Sequence, residues 1–123
     1  MVAGADWLTE DGNLIKYDGD ANVYYWYYAT QVAHHMEDKH WKRWNDVMRA
    51  EVPKHQVKGG GRRGNKGEAG SWDPNMEDIH ERNGGRLFTT CLSIYMLEVY
   101  YRHQNIYPKI YTNLLKSGRY DGK

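Results

Sequence analysis

Five aromatic residues stand in a row at Tyr24, Tyr25, Trp26, Tyr27 and Tyr28. Consecutive side chains on a helix point about 100° apart, so the run wraps the whole circumference of a helix that carries it. On a strand it would load both faces. Such an element must be enclosed by protein on most sides, or must line an aromatic cavity. With 123 residues the chain is one domain and holds little with which to enclose it. The run therefore predicts neighbours beyond those the chain itself supplies.

The surrounding pattern is all-α. Residues 1–21 are polar, with Asp11-Gly12 and Asp18-Gly19 as turn signals, and read as an irregular N-terminal arm with room for one short helical turn. Asp20 or Asn22 can cap a first helix that runs to about Met36. A second helix is predicted from about Asp38 to Gln56. Its stripe of Trp41, Trp44, Val47, Met48 and Val52 is apolar, and Lys42, Arg43, Asp46, Arg49 and Glu51 lie largely outside it. Pro53 kinks or ends its last turn. Residues 57–85 contain eight glycines and no apolar periodicity, and read as a long loop. A third helix, apolar in almost every direction, is predicted from about Arg86 to His103. Pro108 breaks it, a short helix over 109–116 follows, and residues 117–123 read as a coil tail.

Composition narrows the function classes. The formal net charge is +1, so no bulk field draws the chain to nucleic acid or to a membrane surface. No apolar run is long enough for a membrane span, and no signal segment opens the sequence, which leaves the compartment open. Tyrosine (11) and tryptophan (5) are abundant against one phenylalanine, and mean hydropathy is −0.92. These are rings with polar tips, suited to half-wet interfaces and cavity walls, over a thin aliphatic core. The single cysteine, Cys91, excludes an internal disulfide.

A shift of 60 residues superposes the two wrapped helices: Tyr28 falls on Phe88, Thr30 on Thr90, Val32 on Leu92, Ala33 on Ser93 and Met36 on Met96. The unit is an apolar helix, a short link, an amphipathic helix and a long loop. Repeats of this size stack as helical hairpins, none of which can bury its own faces. An enclosed inner helix alternating with a half-wet outer helix suits a ring.

Several segments then resemble one family. Asn22 to Thr30, Trp41-Lys-Arg-Trp-Asn45, Gly70-Ser-Trp-Asp-Pro74, Gly84-Gly-Arg-Leu-Phe-Thr-Thr90 and Leu97-Glu-Val-Tyr-Tyr-Arg102 are similar to the prenyltransferase and squalene-cyclase-type repeat proteins. They look most like the C-terminal repeats of bacterial, planctomycete-type members, and the resemblance covers roughly residues 20–107. It implies an (α/α)6 toroid, of which residues 22–116 would supply about two hairpins. It does not carry the chemistry across. The Asp-rich acid motif of the cyclases is absent. Of their Gln…Gly-x-Trp signature only Gly70-Ser71-Trp72 matches, with Lys66 in the place of the glutamine. The prenyltransferase zinc set of Asp, Cys and His finds residue types in Asp78, His80 and Cys91, without the matching spacing. The resemblance thus implies a non-catalytic binding or scaffolding module with no cofactor. Its partner would be the remainder of a larger toroid protein, or a second copy through self-association. The alternative is the C-terminal part of a cyclase-like or prenyltransferase-like enzyme that holds a hydrophobic, isoprenoid ligand.

Individual residues have two readings each. Tyr24, Trp26, Tyr27 and Tyr95 can line such a cavity, or simply pack between helices, which is the stronger reading. Trp72 can stack on a ligand at the ring's mouth, or anchor its loop, with Asp73 capping a turn before Pro74; the anchor is stronger. Arg62, Arg63 and Lys66 in the glycine-rich loop can hold a phosphate, but no Gly-Lys-Ser/Thr end follows, so a solvated loop is the stronger reading. His34, His35, His40 and His55 lack metal-site spacing. Glu98 is expected to pair with Arg102 one turn on. No catalytic residue is assigned.

Overall fold

The computed structural model describes residues 2–59 and 68–102. Those residues are all-α: α1 (Val2–Leu8), a 3-10 turn (Asp11–Asn13), α2 (Val23–Met36), α3 (Asp38–Lys54) and α4 (Ile79–Arg102). The expected helix over 109–116, the 117–123 tail, and Arg62, Arg63 and Lys66 lie outside the described residues.

Asn22 starts α2, its side-chain oxygen accepting the Tyr25 N–H at 2.8 Å. One residue, Glu37, then reverses the chain into α3 (φ 54°, ψ −161°). The α3 stripe buries His40, Trp44, Met48 and Val52. Pro53 sits in the last turn of α3 without ending it.

Two contacts fix the direction of α4. Asn22 Nδ2 donates to Asp78 at 3.0 Å, and the Val23 N–H donates to Glu81 at 2.9 Å. The N-terminal ends of α2 and α4 are therefore adjacent, and the two helices run parallel. The short link makes α3 antiparallel to α2. The core between them holds Trp26, Trp44, Met48, Val52, Trp72 and Met96. Its indoles are satisfied: Trp44 donates to Thr30 Oγ1 at 2.9 Å, and Trp72 to the Val52 carbonyl at 2.7 Å. Small residues buried four apart on both helices, Ala29 and Ala33 on α2 and Thr89 and Ser93 on α4, allow a close approach.

Two segments are more ordered than their sequences suggest. The polar arm contains α1, because Ala5, Leu8 and Ile15 bury against the core and supply what local propensity lacks. The long loop ends early, with α4 beginning at Ile79 rather than Arg86. Asp78 caps it by accepting the His80 and Glu81 N–H groups, both at 2.9 Å. Gly85 interrupts α4 (φ 65°, ψ −164°), which is why the Gly-Gly pair reads as a helix boundary. The loop is clasped at its base: the Val57 N–H donates to the Ser71 carbonyl and the Gly70 N–H to the Val57 carbonyl, each at 2.8 Å. Arg86 holds the same segment, donating to Ser71 Oγ at 2.9 Å and pairing with Asp73.

Candidate binding face

The aromatic run divides by direction. Trp26 enters the core, Tyr25 and Tyr27 are half-buried, and Tyr24 and Tyr28 are exposed. Tyr24, Tyr28 and Val32 form an uncovered line along α2, spaced four residues apart, while the buried set of Val23, Trp26, Thr30 and Ala33 takes the opposite side. On α4 the exposed large apolar residues are Ile79 in the first turn and, beyond Gly85, Leu87, Ile94 and Tyr95, with Leu87 the most exposed at 76%; Glu98 is exposed one turn after Ile94.

Ring contacts join the two lines into one seam. Tyr24 lies edge-on to Tyr28 (centroids 5.0 Å), and Tyr28 edge-on to Tyr27 (5.1 Å). Tyr27 reaches Tyr95 on α4 (6.2 Å), and Tyr24 reaches Phe88 (6.5 Å). Tyr24 also stacks on His80 (4.3 Å). Edge-to-face and offset contacts at these distances are favourable, so the seam is preorganised rather than a set of loose side chains. The hydrogen bond with Tyr24 holds the Tyr28 hydroxyl above its ordinary pKa.

On another side of the α2 N-terminus, Glu81 is buried at 3% exposure. It accepts the Val23 N–H at 2.9 Å, the Asn75 N–H at 2.9 Å and the Thr89 hydroxyl at 3.0 Å. Its oxygens join α2, α4 and the loop, so its hydrogen bonds are structural. Beside it, Tyr17 and Trp26 wall a cavity of about 240 Å³ together with Pro74, Asn75 and Thr89. Tyr17 stacks on His55 (3.9 Å), and its hydroxyl is buried with the Ser93 hydroxyl as its neighbour. Burial, then the negative charges of Glu81 and Glu51, push the Tyr17 phenol far above its ordinary pKa. A larger open cleft lies between α1 and α3, but its charges pair off: Lys42 with Asp46 at 2.8 Å and Lys39 with Asp6 at 3.4 Å.

The residues singled out from sequence are thus separated. Tyr24, Tyr27 and Tyr95 come together in the seam. Trp26 faces the inner cavity. Trp72 is 2% exposed and sits in the core, anchoring its loop through the Val52 carbonyl. Asp73 pairs with Arg86. Asp78 is engaged as a cap and by Asn22, His80 stacks on Tyr24, and Cys91 is half-buried. Among the described residues no three His, Cys, Asp or Glu side chains converge as a metal site, and no helix is long and apolar enough to cross a membrane. Sequence reasoning did not single out Leu87, Ile94 and Val32 as a face, although the four-residue spacing of Tyr24, Tyr28 and Val32 carries that signal. It also passed over Glu81, whose partners are distant in sequence.

In comparison with known proteins, no family model matches the chain, nor does any curated protein or solved structure.

Proposed function

We propose that this chain is a non-catalytic binding or scaffolding module of the prenyltransferase and squalene-cyclase repeat type, joining further helices through the α2–α4 seam. The observation that carries the reading is the uncovered aromatic and aliphatic face of two parallel helices. Tyr28 is 52% exposed and Val32 49% exposed on a helix whose other side is core. An apolar face of this extent marks an interaction surface. The parallel α2–α4 pair with α3 antiparallel to α2 is also the arrangement that an inner–outer hairpin repeat calls for. The only wholly buried carboxylate, among the described residues, is spent on helix and loop N–H groups.

One feature supports a second reading, that of an isoprenoid-binding wall in a cyclase-like enzyme. Tyr24, Tyr27, Tyr28 and Tyr95 form an accessible, preorganised aromatic surface, and such faces attract cationic and apolar ligands.

Titration with farnesyl diphosphate and with a squalene analogue separates the two. The seam holds no tryptophan, so the reporters are tyrosine ring resonances in NMR. The module reading expects no saturable shift at Tyr24, Tyr28 or Tyr95. Saturable shifts at those rings, abolished by Tyr95→Ala, would overturn it in favour of the enzyme reading.

A further inference from the structure

We propose that the cavity walled by Tyr17 and Trp26 binds a quaternary ammonium headgroup, at a site separate from the α2–α4 seam.

Glu81 lines this cavity at 3% exposure. Its three hydrogen bonds satisfy its oxygens, but all three donors are neutral. Among the described residues, no lysine, arginine or histidine pairs with it. Buried carboxylates are ordinarily paired, because the interior penalises a lone charge. The N-terminus of α2, which Glu81 meets through the Val23 N–H, offsets only about half a charge. The charge left over attracts a cation. The rest of the lining adds no positive charge to oppose one. The exposed Asp18 and Asp73 complete the acidic groups, and no cationic side chain stands among the lining residues. Asp73 pairs with Arg86, so Asp18 and Glu81 set the field.

The walls decide which cation. Tyr17 lies edge-on to Trp26 with centroids 4.9 Å apart, and stacking on His55 holds the Tyr17 ring in place. Aromatic rings attract cations through their quadrupole, tryptophan most strongly. Ala21, Val23 and Pro74 add apolar surface. A metal ion does not suit such a lining. Both Glu81 oxygens already accept protein donors, and no three metal-ligating side chains converge among the described residues. A primary ammonium brings three N–H donors, and the engaged Glu81 oxygens are poor acceptors for them. A methylated ammonium brings none. It presents charge and apolar methyl groups together, which matches a buried carboxylate beside aromatic rings. The volume of about 240 Å³ is below the roughly 300 Å³ at which drug-sized pockets begin, so it takes a headgroup.

Tetramethylammonium chloride and the uncharged, similarly shaped tert-butanol, each titrated into the full chain at constant ionic strength, test this. The readouts are NMR resonances of the Trp26 indole N–H, the Val23 amide and the Thr89 methyl. The expected result is a saturable shift of all three with tetramethylammonium, and binding of tert-butanol weaker by about tenfold or more. Glu81→Gln removes the charge and keeps the shape. Where circular dichroism shows it folded, its affinity for tetramethylammonium should fall by a similar factor. No saturable shift at these residues overturns the inference. Equal affinity for tert-butanol also overturns it, since the cavity is then a plain apolar pocket. So does a folded Glu81→Gln chain that binds as tightly as the parent. Saturable shifts confined to Tyr24, Tyr28 and Tyr95 overturn it as well, and put the cation on the seam. The comparison of the two ligands decides the matter whether or not Glu81→Gln folds.

Discussion

Glu81 shows how much one side chain does when its neighbours are backbone donors. Its carboxylate accepts N–H groups from Val23 and Asn75 and the hydroxyl of Thr89. Val23 is the first residue of α2 and Asn75 belongs to the loop, so one anion ties three segments at 3% exposure. Hydrogen bonds to a charged acceptor are stronger than neutral ones, and a donor left buried without a partner costs its full desolvation. Glu81→Gln replaces one acceptor oxygen by an N–H₂ group and must strand at least one of the three donors. The expected loss is about 2 kcal/mol of unfolding free energy, read from the urea midpoint at unchanged slope. A variant within about 0.5 kcal/mol of the parent would mean that the joint is not held by this carboxylate.

At the scale of the element, the links are where sequence reading and structure part. Asn22, one of the two caps the sequence offered for α2, and the buried stripe of α3 were legible, because both are local patterns. The start of α4 was not. Asp78 and Glu81 have the spacing of a cap and its third helical residue, but Gly84 and Gly85 follow closely and outweigh that signal. The structure keeps both, with a short helical stretch through Gly84 and then a glycine in a conformation that side chains avoid. The α2–α3 link is the opposite case. Glu37 adopts φ 54° and ψ −161°, a region almost reserved for glycine, and Asp38 follows at φ 44°. A non-glycine residue there costs about 1–3 kcal/mol of strain, which the packing of α2 on α3 must offset. Glu37→Gly removes the strain while adding freedom to the unfolded chain, so a net gain of about 1 kcal/mol is expected. A rise in Tm by thermal circular dichroism checks it; an equal or lower Tm would show that the link stores no strain.

For the whole molecule, the all-α class followed from periodicity, and the uncovered seam followed from an aromatic run too broad for a short chain to bury. The docking of α1 did not follow, because what holds it lies far away in sequence. Leu8 and Ile15 complete the cluster that contains Trp26 and Trp44, and Asp6 fastens α1 to α3. The Asp6 carboxylate lies 2.8 Å from the buried ring nitrogen of His40 and 3.4 Å from Lys39. The hydrogen bond with His40, then that with Lys39, holds Asp6 below the ordinary aspartate pKa. A carboxylate whose pKa is depressed by folding stabilises the fold above its unfolded value, and loses that contribution as pH falls through the folded value. The window is therefore below about pH 4, and α1 is the element that should respond first. Amide resonances of Asp6 to Thr9 should move as the pH is lowered through that window, ahead of those in the middle of α2. Asp6→Asn should show the displaced positions already at neutral pH and remove the dependence. If the parent's α1 resonances stay flat as the pH falls from about 5 to about 2, apolar burial of Ala5 and Leu8 holds this helix, and the ion pair is incidental to the fold.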